Sequence, residues 1–231
     1  MPEVNLKAVK EKIKAAAEKS GRRAEDITLI AVTKTHPPEV INKAIELGIG
    51  DIGENKVQEI LEKYDSVKPV RWHLIGHLQT NKVKYIIDKV YMIHSVDSVK
   101  LMDEIERRAA QHDIVMKILI QVNISGEETK FGIAPDELEE MLLHAGELKH
   151  VKVCGLMTIA PKLDKNMSNR LHFDNIHKIY LDISKKKYDN VNMEYLSMGM
   201  SGDYEAAIEE GSDMVRIGSA LFGERNYPEG M

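Results

Sequence analysis

What most restricts the fold of this chain is an alternation of two kinds of segment, running from "ITLIAVTK" at Ile27 to "MVRIG" at Met214. Short runs of Val, Ile, Leu and Met are separated by stretches in which apolar residues recur every three to four positions among Lys and Glu. The strand candidates are "ITLIAVTK", "DIG", "RWHLIG", "VYMIHSV", "VMKILIQVNI", "VKVCGLMT", "EYLSMGM" and "MVRIG". Between them lie "EVINKAIELG", "ENKVQEILEKY", "NKVKYIIDKV", "SVKLMDEIERRAAQH", "PDELEEMLLHAGEL", "RLHFDNIHKIYLDI" and "DYEAAIEEG", each read as a helix. The first strand is largely apolar on both sides, with Leu29, Ala31 and Thr33 on one and Ile30, Val32 and Lys34 on the other. That is the pattern of a strand covered on both faces. Strand-helix repeats of this kind make parallel βαβ units, and about eight of them close a barrel. A doubly wound open sheet is the competing arrangement, but it would use fewer units and leave edges. The expected fold is α/β, a single TIM-type (β/α)8 barrel domain over residues 1–231, preceded by an extra helix with the apolar stripe Leu6, Val9, Ile13 and Ala16.

A net charge of −5 supplies no overall positive field that would draw the chain to nucleic acid or an anionic membrane. No apolar run approaches the length of a membrane span, and "MPEVNLKAVKEKIKAAAEK" lacks the apolar centre of a signal peptide, so a cytoplasmic location is expected. There, "NIS" at Asn123 and "NMS" at Asn166 carry no glycosylation signal. The one cysteine, Cys154, sits in a strand-like run and reads as a small buried hydrophobe.

"GIGDIG", Gly48 to Gly53, has the glycine spacing of a dinucleotide-binding turn, yet it leaves a helix and enters a strand, the reverse of what that turn requires. It reads as a helix cap. In a barrel, the C-terminal strand ends converge on one mouth. The candidates there are Lys34, Glu54, Asn55, His73, His77, Gln79, His94, Ser95, Asp97, the run from Asn123 to Glu127, and Met157 with Thr158. "MSGD" with Ser201 and "RIGSA" with Arg216, Gly218 and Ser219 follow the seventh and eighth strands, where backbone amides commonly cup a phosphate. Ordinary turn glycines and caps are the alternative. Lys34 reads either as a strand-end lysine extended to solvent or as an amine poised for a carbonyl. Beside a phosphate cup, the second reading suits an aldehyde that carries a phosphate, such as pyridoxal 5'-phosphate (PLP).

The blocks "AVTKTHPPEV", "GENKVQE", "WHLIGHLQTNK", "HSVDS", "QVNISGEETKFG", "GLMTIAP" and "LSMGMSGDYEAAIEEGSDMVRIGSALFG" resemble, in order and from about Leu29 to Gly223, the pyridoxal phosphate homeostasis proteins, the YggS/PROSC family. The resemblance implies a barrel similar to the N-terminal domain of alanine racemase and of eukaryotic-type ornithine decarboxylases. It further implies PLP held as a Schiff base on Lys34, with Ser201, Gly218 and Ser219 on the phosphate and Arg216 toward the pyridine nitrogen. Asn55 and Met198 are expected to line the ring, with His73 and Met157 as nearby walls. No metal and no catalytic residue are implied. The family maintains PLP supply, with transient transfer to apo-enzymes as one route. The related racemases use a tyrosine from a second domain. Here only "ERNYPEGM" follows Gly223, and Tyr227 is not expected to replace it, so a monomer that holds PLP without turnover is expected. The alternatives are a PLP-dependent racemase or decarboxylase, and an interaction scaffold without cofactor.

Overall fold

The structure, a computed structural model, describes residues 4–127, 129–161 and 168–223. Asn166 and Tyr227 lie outside the described residues. Eight parallel strands close a barrel in sequence order: β1 (Thr28–Val32), β2 (Asp51–Glu54), β3 (Arg71–Leu74), β4 (Met92–Val96), β5 (Met116–Gln121), β6 (Val151–Met157), β7 (Val191–Met200) and β8 (Met214–Ile217). β8 returns to β1 with Ala31 opposite Ile217, so the sheet has no edge. The helices are α1 (Leu6–Lys19), α2 (Pro38–Glu46), α3 (Val57–Lys63), α4 (Val99–Gln111), α5 (Leu138–Gly146), α6 (Arg170–Ser184), α7 (Tyr204–Glu209) and α8 (Ser219–Phe222). Among the described residues no helix is long and apolar enough to cross a membrane.

The extra helix α1 buries Leu6, Val9, Ile13 and Ala16, the stripe read from the sequence. Its outer lysines Lys12 and Lys19 pair with Glu205 and Glu209 of α7. In α2, Pro38 stands at the first helical position, where its missing N–H costs nothing. The helix stops before Gly48, whose φ of +98° favours glycine, so "GIGDIG" is a cap leading into β2. One expected helix differs. "NKVKYIIDKV" forms a 3-10 helix, Thr80–Tyr85, followed by turns, with Val83, Ile86 and Ile87 all buried.

Strand alternation divides the apolar residues into two compartments. Ala31, Ile52, Leu74, Ile118, Leu156, Leu196 and Val215 face outward and join the helices in one continuous layer. Ile30, Met92, Leu119, Cys154, Met157 and Met214 form a separate cluster inside the barrel. Cys154 is fully buried there, and burial pushes its thiol up to about 11. The register of β6 against β7 shifts at Gly155, where φ is +145° and a Cβ would stand 1.8 Å from the Tyr195 carbonyl oxygen. Only glycine fits that bulge.

Candidate functional site

β1 ends in a turn that carries Lys34. The Thr33 amide donates to the Gly53 carbonyl (3.0 Å), the His36 amide donates back to the Thr33 carbonyl (3.0 Å), and Thr35 takes a φ of +68°. A β-branched residue in the left-handed region is strained and persists only where neighbours over-determine it. They do so from outside the barrel. The Lys63 ammonium on α3 donates to Glu54 Oε1 (2.8 Å), Glu59 Oε2 (2.8 Å) and the Thr33 carbonyl (3.1 Å). Thr33 Oγ1 donates to Glu54 Oε1 (2.7 Å), and the Thr35 amide to Glu59 Oε2 (2.7 Å). Burial pushes the Glu54 carboxyl up, against the pull of Lys63. At the less buried Glu59 the desolvation penalty is outweighed by Lys63 and the Thr35 amide, and its carboxyl lies low. The backbone on both sides of Lys34 is therefore fixed. Glu54, expected at the mouth, instead belongs to this outer clamp. Nothing in the sequence singles out Lys63, which reads as one more lysine on a solvated helix face.

Next to this turn, across the β1–β8 seam, lies the start of α8. Gly218 stands against Val32: a Cβ there would be 3.4 Å from Val32 Cβ. The Gly218 and Ala220 amides both donate to Ser201 Oγ, at 3.0 and 3.2 Å. Ser201 itself follows β7 in a turn that Asp203 holds by accepting from the Met200 amide (2.7 Å). Two amides already converging on one hydroxyl oxygen are the donor set that an anionic oxygen requires. Ser219 is exposed at the first turn of α8. These residues fit a phosphate.

Arg216 points inward from β8 and is almost fully buried. Nη1 donates to Ser197 Oγ (2.5 Å) and Nη2 to the Thr158 carbonyl (2.8 Å). Burial pulls the guanidinium down to about 10, opposed by Asp203, and leaves it charged at neutral pH. Asn55 is half-buried directly beyond β2, on the inward phase of Asp51 and Gly53. Met157 ends β6 inside the barrel. Met198 requires a correction. Its neighbour Ser197 takes the inward direction to meet Arg216, so Met198 faces outward and is buried with Leu196 in the layer under the helices. Its side chain does not line the mouth.

His73 and His94, expected on the rim, are fully buried deeper in the barrel and bonded to each other, Nδ1 to Nε2, at 2.9 Å. His77 lies outside that line, stacked on Phe131 at 3.9 Å between centroids and 3.4 Å from Asp97. The Asn123 side chain organises its own loop, accepting from the Ser125 hydroxyl and the Gly126 amide. Among the described residues no group of His, Cys, Asp or Glu could hold a metal ion.

Sequence comparison matches residues 4–226 to the family described as "Alanine racemase, N-terminal domain". The pyridoxal phosphate homeostasis protein of Aquifex aeolicus is 48% identical over 224 residues, covering 96% of this chain and 97% of that one. Among solved structures, an unknown protein from Bifidobacterium adolescentis is 36% identical with a TM-score of 0.88, covering 93% of this chain and 92% of that one. PipY of Synechococcus elongatus, solved with PLP bound, is 31% identical with a TM-score of 0.79, covering 90% of this chain and all of the other (100%).

Proposed function

Because the chain belongs to the pyridoxal phosphate homeostasis proteins, within the alanine racemase N-terminal domain family, we propose that it binds PLP at the barrel mouth and holds it without turnover. The observation that carries the reading is the convergence, at one end of the barrel, of three things. They are the clamped turn bearing Lys34, the pair of amides on Ser201 Oγ, and the buried guanidinium of Arg216. PLP would supply an aldehyde that condenses reversibly with a primary amine, and a phosphate.

Lys34 would provide that amine. The amides of Gly218 and Ala220, with the hydroxyls of Ser201 and Ser219, would hold the phosphate. Asn55 would border the ring from β2, and Met198 would contribute at most backbone. Arg216, charged and already engaged by Ser197 and Thr158, would disfavour a second positive charge on a nearby ring nitrogen and so weaken any electron sink there. That argues for holding the cofactor over transforming a substrate, in keeping with relatives named for homeostasis and not for a reaction. We assign the whole of residues 1–231 to one barrel domain, acting as a cytoplasmic monomer that releases PLP to apo-enzymes. The charge of −5 and the absence of a membrane-crossing helix among the described residues support that setting.

The test is borohydride reduction of protein mixed with PLP, followed by peptide mass mapping. The label is expected on Lys34 and absent in Lys34→Ala; label on another lysine would sink the assignment. Ser201→Ala should keep the label but weaken PLP binding about tenfold, the equivalent of one charge-assisted hydrogen bond.

A further inference from the structure

A line of polar side chains crosses the inside of the barrel from floor to mouth, and the proposed function leaves most of it without a role. At the floor the Arg71 guanidinium donates to Asp51 Oδ2 (2.6 Å). Asp51 Oδ1 faces His73 Nε2 (2.9 Å), His73 Nδ1 faces His94 Nε2 (2.9 Å), and His94 Nδ1 faces Ser197 Oγ (3.1 Å). Ser197 Oγ in turn accepts from Arg216 (2.5 Å). Asp51, His73, His94 and Ser197 are all buried. A buried polar line of this length costs stability unless each member is satisfied, and here each one is.

The carboxylate end sets the direction of the bonds along the line. Arginine has no acceptor, so Ser197 Oγ receives from Arg216 and keeps a second lone pair and its proton. An ionised Asp51 only accepts, so His73 gives to it from Nε2, and with both rings neutral His94 gives from Nε2 to His73 Nδ1 and Ser197 gives its proton to His94 Nδ1. Asp51 is the fitting terminus. Its desolvation penalty is outweighed by the bonds from His73 and Arg71, which hold the carboxyl below the usual range. Both imidazoles are neutral in this scheme. Burial lowers each one, and His94 is lowered further by His73 and Arg216. The other groups facing the line are the Tyr91 ring, edge-on to His73, and Lys117, which donates to the Tyr91 hydroxyl. Asp203 acts on Arg216 at the mouth.

We propose that Asp51, His73, His94 and Ser197 act together as a positioning relay for Arg216: the carboxylate at the floor fixes the tautomers of both histidines, and these turn the Ser197 lone pairs toward the guanidinium at the mouth. The relay is a property of the chain itself. Its relevance to a cofactor rests on the proposed function, through Arg216.

The experiment uses full-length protein without ligand, labelled with ¹⁵N-histidine and ¹⁵N-arginine. Long-range ¹H–¹⁵N correlation reports which ring nitrogen is protonated, with assignments from His73→Gln and His94→Gln. Both rings are expected as neutral Nε2–H tautomers at pH 7. A proton on Nδ1, or a charged ring, at either position overturns the proposal. Arg216, held at Nη1 and Nη2, should show resolved guanidinium resonances. Asp51→Ala, at the opposite end of the barrel, should broaden or shift them, and Asp51→Glu should restore them. If Asp51→Ala is folded by circular dichroism and the Arg216 resonances are unmoved, the relay does not position it. The Lys34 label should survive in Asp51→Ala, because the relay orients Arg216 and does not supply the amine; its loss in that folded variant would also overturn the role. These readouts fail independently of Lys34 trapping in the wild type, so the two readings are separable.

Discussion

The space inside the strands and the layer outside them are built on opposite terms. Outside, Ile41, Ile52, Ile60, Leu74 and Phe173 are fully buried in one apolar layer supplied by helices and strands alike. Inside, the apolar cluster among the described residues has six buried members with Tyr91 and Tyr195 against them, and much of the remaining space goes to Asp51, His73, His94, Ser197 and Arg216. The difference shows how labour is divided in this barrel. The outer layer removes enough apolar surface from water to stabilise the fold, so the interior can be spent on groups whose value lies in where they point.

Removing bulk from the outer layer should therefore have the largest effect. Phe173 on α6 is the largest of the fully buried side chains, and Phe173→Ala should cost about 4 kcal/mol in urea unfolding through lost transfer energy and the void left behind. A cost below about 1 kcal/mol would mean that the layer collapses easily, and the contrast with the interior would fail.

The contrast also explains what could be read from the sequence. The eight-fold alternation and the extra helix are legible, because periodicity records which residues must leave water; for β1 it separates two apolar sides without saying which faces inward. The absolute phase of β7 is not legible either. "EYLSMGM" is apolar at both Leu196 and Met198 and small at Ser197, and nothing local says that the serine faces the axis, since its reason for doing so is Arg216 on β8. The histidines failed for a related cause. His73 and His94 lie on strands and polarity alone points them to the rim, whereas in the interior they are satisfied by Asp51 and Ser197, distant in sequence. Of the mouth, the Gly218 amide meets Ser201 Oγ, and Gly218 stands against Val32 at the end of the strand that leads to Lys34. The "NKVKYIIDKV" segment has the spacing of an α-helix, yet it winds as a 3-10 helix over Thr80–Tyr85 and then turns.

Among the described residues the outer layer has a buried ionic exception, Lys63 with Glu54, and it lies under the proposed PLP lysine. Lys63→Met should cost about 3 kcal/mol, because it strands Glu54 as a buried charge without its partner. Glu54 Oε2 already lacks a hydrogen-bond partner. Lys63→Met combined with Glu54→Leu should be milder than the single change, since exchanging both members for apolar groups removes the stranded charge. A double variant less stable than the single would show that the clamp stabilises the turn by more than charge neutralisation. The measurement is again urea unfolding, run for all three proteins in one buffer.

The smallest effect should come from apolar packing inside the barrel. Cys154 shares the inner cluster with Ile30, Met92 and Met214, and its thiol reaches the Lys152 carbonyl at 3.7 Å. Cys154→Ala removes a single heavy atom and should cost about 1 kcal/mol, a fraction of the Phe173 value. With the thiol raised to about 11 by burial, iodoacetamide at pH 8 should leave the native protein unmodified and label it once urea opens the barrel. A loss of about 3 kcal/mol in Cys154→Ala would put the inner cluster on a par with the outer layer. The interior would then be a second core, and the polar line through it a cost that the fold bears elsewhere.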